Sequence, residues 1–274
     1  MKNGLLTIPE DGTIAAMWGR VIRERAVLHE WPLSRVERIS FDDGRTAILK
    51  TQLRVASTER AFYRAVWDPS ILEPLADGEE DGCDWMLLPD LGEAHEDWSG
   101  LTDEAIRDRV RALSRIICRI DGDEVPVFFD FSSPELLARA CVSILPTLEE
   151  AGMTAEELAR LLDWAECDAP LLWDAPVVLL HGDLKGENVI PRDNGPILID
   201  WQRPMRGPAP LDEALALLLA GRESRDRYAP LAAFVMGFWY AWAYKTCLPY
   251  PFVLGMGKKH MKAAIEREEF RIQN

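Results

Sequence analysis

The sequence has little of what disulfide scaffolds and zinc sites require. Its five cysteines, at positions 83, 118, 141, 167 and 247, form no Cys-x-x-Cys pair, and their odd number does not suit a disulfide framework. We expect reduced thiols in a cytoplasmic protein. The four histidines are widely separated, so the sequence has no short spacing typical of zinc ligands.

Positive charge is also scarce. The chain has 31 Lys and Arg against 46 Asp and Glu, which gives a net charge of -15. Binding to nucleic acid or to an anionic membrane surface requires basic patches, so we expect neither as a partner. The acidic balance would suit a cationic small molecule. Solubility alone is the simpler explanation for it.

We expect no segment of this sequence to direct the protein to a membrane. Its amino-terminal region has no signal-peptide apolar core. Tyr228 to Tyr244 is uncharged over 17 residues, but it is slightly short for a span and contains Pro230 and Gly237. We therefore predict an internal helix and no membrane contact. Alternatively, its aromatic residues Trp239 and Trp242 border a ligand pocket.

The most informative segment that is present is a polar loop, His181 to Asn188, between apolar runs. Pro176 to Leu180 predicts a strand that stops at His181. Val189-Ile190 and Ile197 to Ile199 predict a hairpin around a turn at 192–196. This arrangement would bring Asp200 beside Asp183 and Asn188.

These residue types suit phosphoryl transfer, in which a protein mainly positions reactants and neutralises charge. Carboxylate and amide oxygens are ligands that Mg²⁺ prefers, so Asn188 and Asp200 are candidate metal ligands. Asp183 could accept the proton of an attacking hydroxyl, and Lys185 could reach the transferring phosphate. The alternative is a polar hairpin with surface acids.

The segments His181 to Asn188 and Leu198 to Gln202 resemble the catalytic loop and metal-binding segment of the aminoglycoside phosphotransferase and choline kinase family. His181-Gly182-Asp183 stands where the related protein kinases have His-Arg-Asp, and Asp200-Trp201-Gln202 stands where they have Asp-Phe-Gly. The resemblance implies ATP and Mg²⁺ as cofactors, Asp183 as the catalytic base, and Asn188 and Asp200 as metal ligands. It also favours a small-molecule substrate, although Lys185 matches the catalytic-loop lysine of Ser/Thr protein kinases.

Such a fold requires a strand lysine and a helix glutamate in the amino-terminal half. Val36 to Phe41 and Thr46 to Thr51 predict a hairpin around Asp42-Asp43-Gly44. Lys50 lies near the end of the second strand. Ser57 or Thr58 could cap a helix containing Glu59, which would then pair with Lys50 and orient ATP.

A connection between lobes is predicted at Trp85 to Gly92, which is similar to the hinge of the family. Backbone groups near Pro89 to Leu91 would face adenine, and an ordinary buried strand is the alternative. No Gly-x-Gly-x-x-Gly occurs in the first 90 residues, so a phosphate-covering loop is placed only within 29–38. Gly78 to Gly82 is interpreted as an acidic loop.

The remaining sequence predicts helices. Thr102 caps one, Ser133-Pro134 starts another, and Thr154 with Glu157 forms a capping-box pattern. Gly207-Pro208 is expected to break the chain before a helix at 211–220. There, Asp212 resembles the structural aspartate of the family.

Together these features predict an α+β, bilobal protein kinase-like fold, with a β-rich nucleotide-binding lobe at 1–91 and a mostly helical lobe at 92–274. The expected activity is transfer of the γ-phosphate of ATP to a hydroxyl of a small molecule, with a cationic acceptor such as an aminoglycoside favoured by the acidic charge. Two alternatives stay open: a protein kinase, and a kinase-like regulatory module without catalysis. No activation segment ending in Ala-Pro-Glu is found, which disfavours the first.

Overall fold

The computed structural model describes residues 5–92 and 94–266 of the chain. It divides into two compact units. One comprises the described part of Met1–Glu96 with Asp123–Phe128 and Gly186–Arg203, and the other comprises Asp97–Gly122, Phe129–Lys185 and the described part of Pro204–Asn274. The first unit differs from the contiguous 1–91 lobe because the segment 186–203 packs with the amino-terminal strands. The assignment of roles to the two lobes stays a prediction.

The regular elements are numbered along the chain. The strands are β1 (Ile22–Trp31), β2 (Ser34–Phe41), β3 (Thr46–Leu53), β4 (Ala76–Glu80), β5 (Cys83–Pro89), β6 (Phe129–Asp130), β7 (Val177–Leu180), β8 (Val189–Ile190), β9 (Ile197–Leu198) and β10 (Met205–Pro208). The helices are α1 (Asp11–Trp18), α2 (Glu59–Ala65), α3 (Asp103–Ile120), α4 (Pro134–Glu150), α5 (Ala155–Asp163), α6 (Leu211–Leu219), α7 (Ala229–Thr246) and α8 (Pro251–Ile265).

The first unit is built on a five-stranded antiparallel sheet in the order β1-β2-β3-β5-β4. The predicted β2–β3 hairpin is confirmed, and Gly44 takes the positive φ that its turn requires. Alternate residues of β2, β3 and β5 bury one face of the sheet against Ile14 of α1. The opposite face of β3 carries Lys50.

The interpretation of Gly78 to Gly82 as a loop is wrong, because most of it belongs to β4. The turn is only Asp81-Gly82, and both residues have positive φ, as the tight turns of two-residue hairpins require. Gly78 pairs with Trp85, and an added Cβ would lie 2.4 Å from the indole ring. The position therefore needs glycine for packing rather than for a turn.

The second unit is mostly helical, and its predicted helix starts are confirmed. Thr102 accepts a hydrogen bond from the backbone N–H of Ala105, and α3 buries one apolar face. Thr154 and Glu157 form both bonds of the capping box at α5.

The second unit also contains a three-stranded sheet in the order β6-β10-β7. Strand β7 ends at Leu180, directly before the polar loop that begins at His181. Met205 pairs with Phe129 on one side and with Leu180, the residue before His181, on the other. The prediction that Gly207-Pro208 breaks the chain is wrong, because both residues lie in β10. Glycine is favoured at position 207 because the space beside it is tight: an added Cβ would lie only 3.2 Å from the Leu180 side chain and 3.3 Å from the Leu211 side chain.

The apolar segment near residue 230 forms α7, an internal helix as predicted, since most of its residues are buried. It packs closely on α8 at Gly237, where an added Cβ would lie 2.9 Å from Met261. Gly257 of α8 similarly lies against Ala241. None of the helices in the described ranges combines the length and apolar character needed to cross a membrane.

Candidate active site

Lys50 lies at the centre of a buried ion-pair cluster in the first unit. Its Nζ is 2.6 Å from Glu59 Oε2 and 2.5 Å from Asp200 Oδ1. The side chain of Glu59 is 1% exposed and that of Lys50 is 9% exposed. The structure therefore brings together Lys50 and Glu59, as the sequence predicts, and adds Asp200 to the same cluster.

The surroundings of Lys50 favour its charged form. Burial of the ammonium lowers its pKa, but the nearby carboxylates of Asp200 and Glu59 outweigh that effect and raise the pKa above its ordinary value. The ammonium is therefore stabilised as a cation beside these two carboxylates. A buried, fixed cation of this kind can bind a phosphate group at low reorganisation cost.

Asn188 and Asp200 lie at one end of the β8–β9 hairpin. Val189 pairs with Leu198, and the N–H of Ile199 donates to the carbonyl of Asn188 at 3.0 Å. Asp200 follows with φ at 68°, a left-handed conformation that aspartate tolerates better than most residues. The predicted hairpin is confirmed, and it places the two candidate metal residues at the same end.

The segment after Asp200 is attached to α2. Trp201 stacks on Phe62 with ring centroids 4.2 Å apart, and the N–H of Thr58 donates to the carbonyl of Gln202 at 3.0 Å. Trp201 is fully buried. Helix α2, which carries Glu59, and the segment that carries Asp200 are thus packed as one piece.

The donor set at this end of the hairpin fits a magnesium ion, since it offers one carboxylate and one carboxamide oxygen. Mg²⁺ usually takes one or two such protein ligands and completes its shell with water and substrate phosphates. In the described part of the chain, no cluster of three or more His, Cys, Asp and Glu side chains is arranged to hold a metal. Asn188 and Asp200 as metal ligands stay a prediction.

The start of the polar loop is held by Asp212 in the second unit. Its carboxylate accepts the backbone N–H of His181 at 2.9 Å and that of Gly182 at 3.1 Å. Burial raises the pKa of Asp212, and the two N–H groups partly oppose that shift. The next residue, Asp183, is therefore presented on a fixed backbone, consistent with the predicted scaffold role of Asp212.

Lys185 is placed for an electrostatic role close to Asp183. Its Nζ lies 3.9 Å from Asp183 Oδ2, and its side chain is 39% exposed while that of Asp183 is 12% exposed. The catalytic roles of both residues stay predictions.

The predicted hinge residues follow the end of β5. Pro89 is the last residue of the strand, and the carbonyl of Leu91 accepts a hydrogen bond from Arg192 at 2.6 Å. Their contact with adenine stays a prediction. The region 29–38, where a phosphate-covering loop was expected, forms the ends of β1 and β2 joined by a turn at Pro32-Leu33.

Comparison with known proteins assigns the chain to a protein family. A model of the phosphotransferase enzyme family matches residues 34–243, which is more than half of the chain. The chain belongs to the phosphotransferase enzyme family. Membership identifies it as a small-molecule phosphotransferase and confirms the predicted resemblance. No curated protein sequence gives a significant match.

Solved structures confirm the kinase-like fold of this phosphotransferase. An ethanolamine kinase from Plasmodium vivax has a TM-score of 0.59 at 10% identity, over 88% of this chain and 82% of that one. A macrolide 2′-phosphotransferase from Brachybacterium faecium has a TM-score of 0.56 at 15% identity, over 94% and 97%. An amicoumacin kinase solved with AMP-PNP and Ca²⁺ has a TM-score of 0.56 at 11% identity, over 94% and 92%.

Sequence reasoning missed polar residues that support Glu59 of the phosphotransferase. Gln52 donates to Glu59 Oε2 at 2.7 Å, and Ser57 bonds to both Gln52 and the Glu59 backbone. Gln52 lies two residues after Lys50, so strand periodicity places both side chains on one face. That spacing was the available signal, but a lone glutamine in a strand has no distinctive pattern.

Proposed function

We propose that this phosphotransferase uses ATP and Mg²⁺ to transfer the γ-phosphoryl group to a hydroxyl of a cationic small molecule such as an aminoglycoside. The observation that carries the proposal is the position of Lys50 Nζ, within 2.6 Å of Glu59 and 2.5 Å of Asp200. In kinases, a lysine that contacts a helix glutamate and lies beside a metal-binding aspartate can bind the phosphates of the nucleotide.

On the nucleotide side, Lys50 would bind the α and β phosphates while Glu59 keeps its ammonium in place. Backbone groups at Pro89 to Leu91 would contact the base. The amicoumacin kinase structure contains AMP-PNP and Ca²⁺, which supports a nucleotide with a divalent cation in this fold. Because the charged form of Lys50 is favoured by its carboxylate neighbours, this contact would persist throughout the neutral pH range.

Asn188 and Asp200 would hold Mg²⁺ through their side-chain oxygens. The bound ion would supply positive charge to the phosphate oxygens as negative charge shifts during transfer. Occupation of this site would also compete with Lys50 for Asp200 Oδ1. Nucleotide and metal binding are therefore expected to be coupled through this one carboxylate.

Asp183 would accept the hydrogen bond of the acceptor hydroxyl and take its proton as the oxygen attacks. The backbone before it is fixed by the bonds from His181 and Gly182 to Asp212, which orients the carboxylate without further reorganisation. Lys185, with its ammonium 3.9 Å from Asp183, would offset the charge on the transferring group.

A preference for a cationic acceptor is supported by an aromatic cluster in the unit that carries Asp183. Trp239 and Trp242 stack with ring centroids 5.4 Å apart, and both rings lie against Phe129. In the β6-β10-β7 sheet, Phe129 and Leu180 flank the same residue, Met205. The cluster is thus close to the start of the catalytic loop. Phe129 and Trp239 are buried, so Trp242, which is partly exposed, is the ring whose face would attract an organic cation.

The test is ADP release from Mg-ATP across aminoglycosides, choline, ethanolamine, sugars and amino-acid alcohols. We expect acceptor-dependent release with at least one cationic compound, and a loss of about a thousand-fold in Asp183→Asn. Release only with neutral acceptors would refute the cationic preference. Activity of Asp183→Asn equal to that of the unmodified chain would refute the assignment of the base.

A variant pair tests the proposed role of Trp242 separately. Trp242→Leu should raise the KM for a cationic acceptor roughly five-fold and leave the KM for ATP unchanged, since a cation–π contact is worth about 1 kcal/mol. Trp67→Leu is the matched control, because its ring is 82% exposed and lies in the other unit. Equal KM values in the two variants would contradict the placement.

A further inference from the structure

Three buried residues of the first unit form a closed cycle of hydrogen bonds. Gln52 Nε2 donates to Glu59 Oε2 at 2.7 Å, Ser57 Oγ donates to Gln52 Oε1 at 2.7 Å, and Glu59 N donates to Ser57 Oγ at 3.1 Å. Gln52 and Glu59 are each 1% exposed, and Ser57 is 8% exposed. The cycle therefore lies in a region from which water is largely excluded.

With Glu59 ionised beside Lys50, the donors and acceptors of this cycle admit one arrangement. An ionised Glu59 carboxylate can only accept, so the amide of Gln52 must turn its NH₂ group toward it. The amide oxygen then faces Ser57, whose hydroxyl must donate to it. The Ser57 oxygen remains available as an acceptor for the backbone N–H of Glu59, the first residue of α2. Each bond fixes the direction of the next.

The cycle and Lys50, the residue proposed to bind the nucleotide phosphates, share one atom. Glu59 Oε2 accepts from Gln52 and is also the atom that lies 2.6 Å from Lys50 Nζ. Lys50 and Gln52 stand two residues apart on one face of β3, so they reach the same carboxylate oxygen from the same strand. Gln52 thus contacts the oxygen that holds Lys50 directly, and it contacts the start of α2 through Ser57.

We propose that Gln52 and Ser57 are positioning residues that hold Glu59 against Lys50 before any nucleotide is bound. Without the Gln52 amide, the carboxylate could rotate away from Lys50, and part of the binding energy of the nucleotide would be used to realign it. This inference rests on the proposed function, because it concerns the lysine assigned to the phosphates. Neither residue touches the substrate in this role.

The experiment measures the affinity for AMP-PNP with Mg²⁺ by calorimetry. Gln52→Leu, which keeps the volume and removes the amide, should weaken binding roughly ten-fold, the factor expected for one hydrogen bond to a charged group. Thr51→Val is the matched control. Thr51 is the adjacent residue of the same strand and is fully buried, and its hydroxyl has no hydrogen-bond partner among the described residues. It should bind as the unmodified chain does.

A double variant separates positioning from general support of the fold. If Gln52 acts through Glu59, Gln52→Leu should cause no further loss in a Glu59→Gln background. An equal loss in both backgrounds would overturn the inference, as would unchanged binding by Gln52→Leu. If that variant does not fold, Ser57→Ala, which removes only the hydroxyl, is measured in the same two backgrounds with the same expectations.

A further variant distinguishes failure of this inference from failure of the proposed function. Lys50→Ala should weaken binding more than Gln52→Leu does. If binding depends on Lys50 but not on Gln52 or Ser57, only the positioning role is overturned. If Lys50→Ala binds AMP-PNP as well as the unmodified chain, the proposed nucleotide site fails, and the positioning role fails with it.

Discussion

Replacing Lys50 by Met should destabilise the protein, and increasingly so as the pH rises. The substitution keeps the length of the side chain but removes the cation that lies 2.6 Å from Glu59 and 2.5 Å from Asp200. Asp200 is 25% exposed at its side chain and can be partly hydrated, whereas Glu59 is 1% exposed. Most of the cost therefore arises at Glu59. Removing one partner of a buried pair typically costs about 3 to 5 kcal/mol.

The pH dependence follows from the groups around Glu59. Burial raises the pKa of this carboxyl, Lys50 opposes that shift, and the charge of Asp200 adds to it. Without Lys50, the influences of burial and Asp200 remain, and the folded-state pKa lies further above its unfolded value. A carboxyl of this kind binds more protons in the folded state, so the free energy of unfolding falls as the pH rises above the unfolded pKa. The slope is at most about 1.4 kcal/mol per pH unit for one proton.

Urea unfolding followed by tryptophan fluorescence at roughly pH 5.5 and 7.5 checks this expectation. The free energy of unfolding of Lys50→Met should be lower than that of the unmodified chain by about 3 kcal/mol at the higher pH. At the lower pH this difference should be smaller by about 1 to 2 kcal/mol. Lys50→Met combined with Glu59→Gln should recover most of the stability, because no buried charge is left unpaired. A pH-independent deficit, or no recovery in the double variant, would refute the reasoning.

Three further outcomes are expected. Asp200→Asn should raise the Mg²⁺ concentration needed for half-maximal AMP-PNP binding roughly ten-fold or more, because the amide replaces a charged ligand; an unchanged Mg²⁺ requirement in a binding titration would contradict the metal assignment. Asp212→Asn should lower the free energy of unfolding by about 2 kcal/mol and reduce kcat, because each carboxylate oxygen of Asp212 accepts one backbone N–H and the asparagine NH₂ group would face one of these donors; chemical unfolding and initial rates check this, and full activity would exclude the scaffold role. Lys185→Met should lower kcat with little change in the KM for ATP, because the half-exposed ammonium would act mainly on the transferring group; a rise in KM alone would instead indicate binding.

The helix starts and the polar loop from His181 to Asn188 could be predicted from the sequence because their signals are local. Thr102, Thr154 with Glu157, and the β8–β9 turn each depend on a few neighbouring residues, and all are confirmed. The motif at His181 to Asn188 also lies within one short stretch. Its resemblance to the family is confirmed by the family match over 34–243.

Long-range packing explains what the sequence did not reveal. Gly78 to Gly82, whose first three residues belong to β4, is predicted as a loop because glycine and acidic residues are rare in strands. β4 is a strand at the edge of its sheet, and the packing of Gly78 against Trp85 could not be read from that stretch. The contact of Asp200 with Lys50 joins residues 150 positions apart, and the hydrogen-bond cycle of Gln52 depends on where α2 begins.

The most direct test of the central claim is to detect the transferred phosphate on the acceptor itself. Mg-ATP labelled at the γ-phosphorus would be incubated with the chain and a panel of hydroxylated acceptors, and the label would be followed by mass spectrometry. We predict labelled phosphate on a hydroxyl of a cationic small molecule, dependent on Mg²⁺ and formed about a thousand-fold more slowly by Asp183→Asn. Label released only as inorganic phosphate, or transfer by Asp183→Asn at the rate of the unmodified chain, would contradict the account.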